Sequence, residues 1–312
     1  MKKGLVFIFL LIFSFVLVSC GKEEAKDDYK LSVVSPSGAP GIAIADMATN
    51  RADRYEFSLN KTPDVLSATF LANEEDVIIA PINMGATMYN KKGQYVLASV
   101  LTWGNLYIAS RIDNFTLDMI DDGNEVIFFG SGTINQYIVN KVLAYNNVTP
   151  ENITFLDSTQ LTQAQLIAKD NVIVLIAEPA LSVAKTKVSD ITAISVQDLY
   201  AEMSGGSSYP QAGCFIRKET INNHKSVVDD FINDLEASAN NTSINVEEVA
   251  GYAEALEMGG KKPILINAIP NCNIEFKSAS NAKTQIEALF SDAQALTYCG
   301  GKLPDEGFYY QK

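Results

Sequence analysis

Apolar runs of four to nine residues alternate with stretches of helical spacing along most of this chain. Leu31–Val34 reads as a short strand. "PGIAIADMATN" follows, with Pro40 suited to a first helical turn and Ile42, Ile44, Ala45 and Ala48 forming a partly apolar face. Tyr55–Leu59 alternates like a strand. In "TPDVLSATFLANEE", Thr62 fits an N-cap and Pro63 the first helical position, with Val65, Leu66, Thr69 and Phe70 on one side. "DVIIAP" then reads as a buried strand ended by proline. This alternation predicts an α/β fold with parallel strands.

The pattern restarts after "VLASVLTWGNLYIASR", where Gly104-Asn105 separates two apolar runs in a hinge-like stretch. "NEVIFFGSG" predicts a strand and "TINQYIVNKVLAYNN" a helix. "ENITFLD" and "NVIVLIAEP" are further strands, with helices in "STQLTQAQLIAKD" and "PALSVAKTK". "SDITAISVQDLYAEM" adds one more strand and helix. A loop rich in Gly and Ser precedes the strand "QAGCFIRKE", and the remainder is mainly helical: "HKSVVDDFINDLEASANN" and "NVEEVAGYAEALEM". The portion after residue 19 is near the upper size of a single core, so two lobes are expected.

The N-terminus carries an address. Lys2 and Lys3 precede an apolar run from Leu5 to Val18, too short for a comfortable span and suited to a signal sequence. Leu17-Val18-Ser19-Cys20 resembles the bacterial lipobox, which implies residues 1–19 as a lipoprotein signal peptide and Cys20 as the lipidated residue. An ordinary signal peptide or a short anchor is the competing reading. "GKEEAKDD" after it reads as a flexible tether, residues 20–28. The chain has 24 basic and 37 acidic residues; removal of residues 1–19 takes two lysines and no acid, so the net charge of −13 becomes −15. No basic stripe is visible, which argues against nucleic acid.

Three further cysteines remain. Cys214 lies in the apolar run "AGCFI" and reads as a buried small hydrophobe. In an exported chain two of the three can pair, and Cys272 with Cys299 is the expected choice because both lie in the C-terminal segment. No spacing suits zinc: there is no CxxC, and His224, the single histidine, falls near a helix start and reads as an exposed or capping residue.

Candidate chemistry gathers at strand ends. Ser35, Ser37 and Gly38 follow the first strand and either face a cleft or form a plain turn. Asn83 follows the third strand and either offers an amide to a ligand or caps the next helix; Asn60 reads as a turn residue. Trp103, the single tryptophan, either stacks on a bound ring or is structural. Gly130, Ser131, Gly132 and Thr133 form a strand-to-helix turn whose N–H groups and hydroxyls suit an oxyanion or carbonyl; the alternative is an ordinary turn with a threonine cap. No Lys-Ser/Thr follows the last glycine, so the turn is no P-loop. Glu178 precedes Pro179 after "VIVLIA" and accepts either from a ligand N–H or cation, or from a backbone group at a helix start.

The order and wording of these segments resemble the extracellular solute-binding lipoproteins of ABC importers, in particular the aliphatic sulfonate, nitrate and thiamine-precursor binding (SsuA/THI5-like) group. "SPSGAPGIAIADMA", "FFGSGTINQYIVNKVLAYNNVTPENITFLD", "VIVLIAEPALSVA", "CFIRKETINNHKSVVDDFINDLEAS" and "GGKLPDEGFYY" carry the resemblance over almost the whole chain after the tether. It implies a type II periplasmic-binding-protein fold with lobe I at 29–111 plus 211–312, lobe II at 112–210, and the ligand between them. It further implies a monomer on the outer face of a cell membrane, no cofactor, and an ABC permease and ATPase as partners. Ser35–Gly38 and Gly130–Thr133 would then face each other across the cleft. An inward Glu178 would repel a purely anionic solute, so a heterocyclic vitamin precursor or other amine-bearing ring is favoured over a sulfonate- or nitrate-like anion. An enzyme on the same fold, of menaquinone- or pyrimidine-pathway kind, is the first rival. No positioned acid, base or nucleophile supports it. A surface lipoprotein without a transport role is the second.

Overall fold

The computed structural model describes residues 27–312. The signal peptide, Cys20 and all of the tether but Asp27 and Asp28 therefore lie outside the described residues. Among the described residues, no helix is long and apolar enough to cross a membrane.

Among the described residues eleven strands form two sheets: β1 (Leu31–Val34), β2 (Tyr55–Ser58), β3 (Val77–Pro81), β4 (Tyr95–Trp103), β5 (Leu106–Ser110), β6 (Glu125–Phe129), β7 (Thr154–Leu156), β8 (Val172–Ala177), β9 (Thr192–Ser195), β10 (Pro210–Arg217) and β11 (Ile274–Ser278). The first sheet runs β11-β4-β10-β3-β1-β2 and the second β7-β6-β8-β5-β9. Strands β1, β2 and β3 are parallel, as are β6, β7 and β8. The expected parallel arrangement is broken by β10 and β11 in the first sheet and by β5 in the second; β4 and β9 run with the parallel strands but pair only with these reversed ones. Of the reversed strands, β5 and β10 are the ones that enter from the other sheet.

The chain changes sheet at Gly104-Asn105, between β4 and β5, and returns between β9 and β10. Residues 106–110, assigned above to the first lobe, thus pair in the second sheet. The tight crossover depends on Gly104: its φ is +44°, and a Cβ there would lie 2.3 Å from Gln197 Oε1 and 2.4 Å from the Tyr209 ring. Both crossovers meet at this point, and only glycine leaves room for them.

Strand β3 is buried on both faces, which explains its unbroken apolar run. Val77 and Ile79 pack with Val228, Phe231 and Leu235 of helix Lys225–Ile244, while Ile78 packs into the cluster that holds Phe70, Phe215, Ile286 and Leu289. The second sheet is sandwiched likewise. Val126, Phe128, Ile173 and Leu175 face helix Ile134–Tyr145, and Ile127, Val174 and Ile176 face Leu166, Leu181 and Ala184.

The expected Cys272–Cys299 pair does not form. Both thiols are free and buried, as is that of Cys214. Cys272 packs among Ala39, Ile42 and Val249, whereas Cys299 sits in a different apolar cluster, with Sγ directed at the carbonyls of Leu296 and Lys302. Proximity in sequence did not translate into proximity in space. His224 occupies the N-cap position of helix Lys225–Ile244 without a side-chain cap; its ring stacks on Tyr29 at 3.8 Å, and Nδ1 lies 2.8 Å from Asp27 Oδ2.

Candidate functional site

The carboxyl ends of the parallel strands carry the candidate residues, because parallel pairing brings the loops that follow them to a common edge. In the second sheet Phe129 pairs beside Leu156, and Ile127 beside Val174, so Gly130–Thr133, Asp157–Thr159 and Glu178 leave from one edge. In the first sheet Ser35–Gly38 leave β1 at the corresponding edge. Loops from both sheets enclose a cavity of about 290 Å³. Ser37, Gly38 and Pro40 line it from the first lobe; Thr159, Gln163, Glu178 and Val183 line it from the second. Asn105 lies at the crossover between them.

The lobes touch at this cavity. Gly259, from the C-terminal part of lobe I, has φ +108°, and a Cβ there would approach Pro179 Cγ to 2.8 Å. Pro179 follows Glu178 through a cis peptide. Tyr107 Oη donates to Asn271 O at 3.2 Å across the same boundary.

Asn105 and Glu178 continue the β5/β8 ladder beyond Leu106 and Ala177. Glu178 N–H donates to Asn105 O at 3.1 Å, and Asn105 Nδ2 donates to Glu178 O at 3.1 Å. The second bond fixes the orientation of the Asn105 amide, since a carbonyl oxygen only accepts. Asn105 Oδ1 is left without a partner in a side chain that is 5 % exposed. A buried acceptor left unmade costs about 1–3 kcal/mol.

Glu178 is 4 % exposed. Its carboxylate accepts from Ser182 N–H at 3.1 Å and from Ser182 Oγ at 2.9 Å, so it serves the start of helix Ala180–Lys185. Burial pushes the Glu178 carboxyl above its ordinary range, and the two Ser182 bonds partly oppose this. Gln163 Nε2 donates to Ala180 O at 2.6 Å, and Ala177 N–H donates to Thr159 Oγ1 at 2.9 Å. These bonds tie helix Thr159–Ala168 to the Glu178 strand end.

The other sequence candidates fall in several places. Ser37 and Gly38 line the cavity. Ser35 is fully buried behind them; its N–H and C=O pair with Ser58 and Lys61, and its hydroxyl donates to Pro36 O at 3.0 Å. Asn83 lies in the first turn of helix Ile82–Lys92, where no side-chain cap forms, so its capping alternative is not realised. Asn60 has φ +59°, in keeping with its reading as a turn residue.

The turn at Gly130–Thr133 consumes several of its own donors. Thr133 Oγ1 donates to Gly130 O at 2.6 Å instead of capping, and Gly132 N–H is taken by Gln136 Oε1 at 2.7 Å. Ser131 stays exposed.

Trp103 is buried on the other side of the crossover. Its Nε1 donates to Glu275 O at 2.9 Å, and Lys277 Nζ lies 4.4 Å from its ring centroid. It borders a separate cavity of about 450 Å³ with Gln197 and Asn273.

Sequence reasoning did not single out Asn105, Thr159, Gln163 or Gly259. For Asn105 the signal was present: a polar residue after glycine between two apolar strands. For Gly259 nothing local distinguishes a left-handed turn against another lobe from an ordinary loop.

Among the described residues no group of three or more His, Cys, Asp or Glu is placed to hold a metal ion.

No family model matches the sequence, and no curated protein matches it. Solved structures do. An ABC transporter protein from Parabacteroides distasonis superposes with a TM-score of 0.77 at 21 % identity, covering 92 % of this chain and 100 % of that one. The periplasmic aliphatic sulphonate binding protein SsuA from Escherichia coli superposes at 0.67 with 12 % identity, over 90 % of this chain and 92 % of that one. The alkanesulfonate-binding protein SsuA from Xanthomonas axonopodis pv. citri, bound to MOPS, superposes at 0.65 with 14 % identity, over 90 % and 96 %. Two sheets joined by two crossovers, a cavity at their carboxyl edges and these superpositions give one architectural result: the chain has the type II periplasmic-binding-protein fold.

Proposed function

We propose that this protein is an extracytoplasmic solute receptor that captures a small molecule between its lobes and delivers it to an ABC importer. The cavity carries this reading: it is built from loops of both lobes and sits beside the crossover about which they would close. The neighbours add support, since two of them are binding proteins for sulfonates and one is an ABC transporter protein. Lobe closure would place Ser37–Gly38 against Thr159–Gln163 and Glu178, with Gly130–Thr133 farther along the same edge.

An enzyme on this fold is the weaker reading. Among the cavity-lining residues Glu178 is the titratable side chain, and it is held by Ser182 with no base or nucleophile beside it. Cys20 would anchor the receptor to the membrane through the residues before Asp27. Metabolic labelling with a fatty acid tests the anchor: label should enter the wild type and not Cys20→Ser.

Isothermal titration combined with small-angle scattering tests the receptor role. Binding of one solute per chain should shrink the radius of gyration. A surface lipoprotein without a transport role would show neither binding nor compaction with any small solute.

A further inference from the structure

The buried polar groups at the cavity include acceptors with no donor to meet them. Among the donors, Asn105 Nδ2 is bound to Glu178 O and Gln163 Nε2 to Ala180 O, each amide keeping a second N–H, and the Thr159 hydroxyl accepts from Ala177 N–H and keeps its own proton to donate. Beyond them, Ser37 and Gln160 stand at the exposed rim. The acceptors are open. Asn105 Oδ1 has no partner while almost completely buried, and each Glu178 oxygen, with a single Ser182 bond, keeps capacity to accept. No lysine or arginine lines the cavity, so its one formal charge is negative.

We infer that the cleft selects solutes that present N–H donors, cationic or neutral, to Asn105 Oδ1 and Glu178, and that it rejects oxyanions. This rests on the solute-receptor reading and gives it a ligand class. An oxyanion entering here would meet a carboxylate and a carbonyl oxygen with no cation in the cavity lining, Lys185 standing near Glu178 but outside it. A donor would instead satisfy the orphaned oxygen. It would do so at the crossover, where Asn105 is bonded to the strand end of lobe II, so ligand recognition and lobe position share one residue.

Three probes of one size separate the cases: benzylamine (a cationic donor), benzamide (a neutral donor) and benzenesulfonate (an anion). Each is titrated calorimetrically into wild-type protein, Asn105→Leu and Glu178→Gln. Benzylamine or benzamide should bind the wild type, with benzenesulfonate at least tenfold weaker. Asn105→Leu should weaken the donor probes about tenfold. Glu178→Gln should weaken benzylamine and spare benzamide. Thermal unfolding of the free variants checks folding, and the wild-type ranking of probes stands independently of it. Tighter binding of benzenesulfonate than of both donors would overturn the inference and leave the receptor reading standing. Binding of none of the three would overturn both, because the cavity would then take neither class.

Discussion

Asn105 and Glu178 exchange two hydrogen bonds, each 3.1 Å, one through the backbone and one through the Asn105 amide. They join the crossover to the strand end that borders the cavity. Asn105→Asp keeps the shape and removes the donor, leaving Glu178 O opposite a carboxylate. It should lower stability by about 1–3 kcal/mol at neutral pH. Chemical denaturation read by the shift in midpoint checks this, and an unchanged midpoint would show the bond to be dispensable.

Gly259 reports on lobe contact. Its φ of +108° and the 2.8 Å approach to Pro179 leave no room for a methyl group. Gly259→Ala should therefore strain its own turn by about 1–2 kcal/mol and push the lobes apart. Scattering should show a larger radius of gyration than for the wild type, and solute affinity should fall with it.

A second interlobe tie lies on the far side. Tyr137 Oη donates to Asp292 Oδ2, and Lys141 Nζ lies 2.9 Å from the same oxygen. These bonds, Tyr137's first, hold the Asp292 carboxyl at about 2, below its ordinary 3.8. A carboxyl held low in the folded state stabilises it above the ordinary value, and that stabilisation is lost as pH falls through 2. Asp292 is 43 % exposed, so screening reduces the effect to about 0.5–1 kcal/mol. Asp292→Asn should cost that much at pH 7, and the difference from wild type should shrink on acidification below pH 3.

Glu178 shifts the other way. Its carboxyl is raised by burial from 4.5, so it takes its charge at a higher pH than an exposed glutamate. Tyr107 and Cys272, which face it, have their own ionisations pushed up by burial, and Lys185 is the nearby cation. Affinity for benzylamine should rise with pH from 4.5 towards 7 as the carboxylate forms, while affinity for benzamide changes little. Calorimetric titrations at several pH values check the slope, and Glu178→Gln should flatten it.

Much of the architecture was legible because the local signals agree with the fold. The doubly buried β3 and β8 are continuous apolar runs, and Pro63 marks the start of its helix. Strand β11 was missed: "IEFKS" carries charge at two positions and is a partly exposed edge strand, so its pattern is weak. The reversed directions of β5, β10 and β11 were not legible, since periodicity is blind to orientation. At the site, Ser37, Gly38 and Glu178 were visible as polar residues after apolar strands, and the structure gathers them around one cavity. Trp103 looked equally suitable, yet the turn at Gly104 sends it to the opposite side. Asn105 and Gly259 matter through residues more than seventy positions away, which no local pattern encodes.

The central claim is that the interlobe cavity holds a solute. Native mass spectrometry of the protein, purified without denaturation from the cells that make it, tests this most directly when run beside Ser37→Trp, which fills the cavity from its rim. The account predicts one small molecule per wild-type chain and its loss in the variant. A wild-type chain with no bound molecule, or a bound molecule that survives Ser37→Trp, would contradict it.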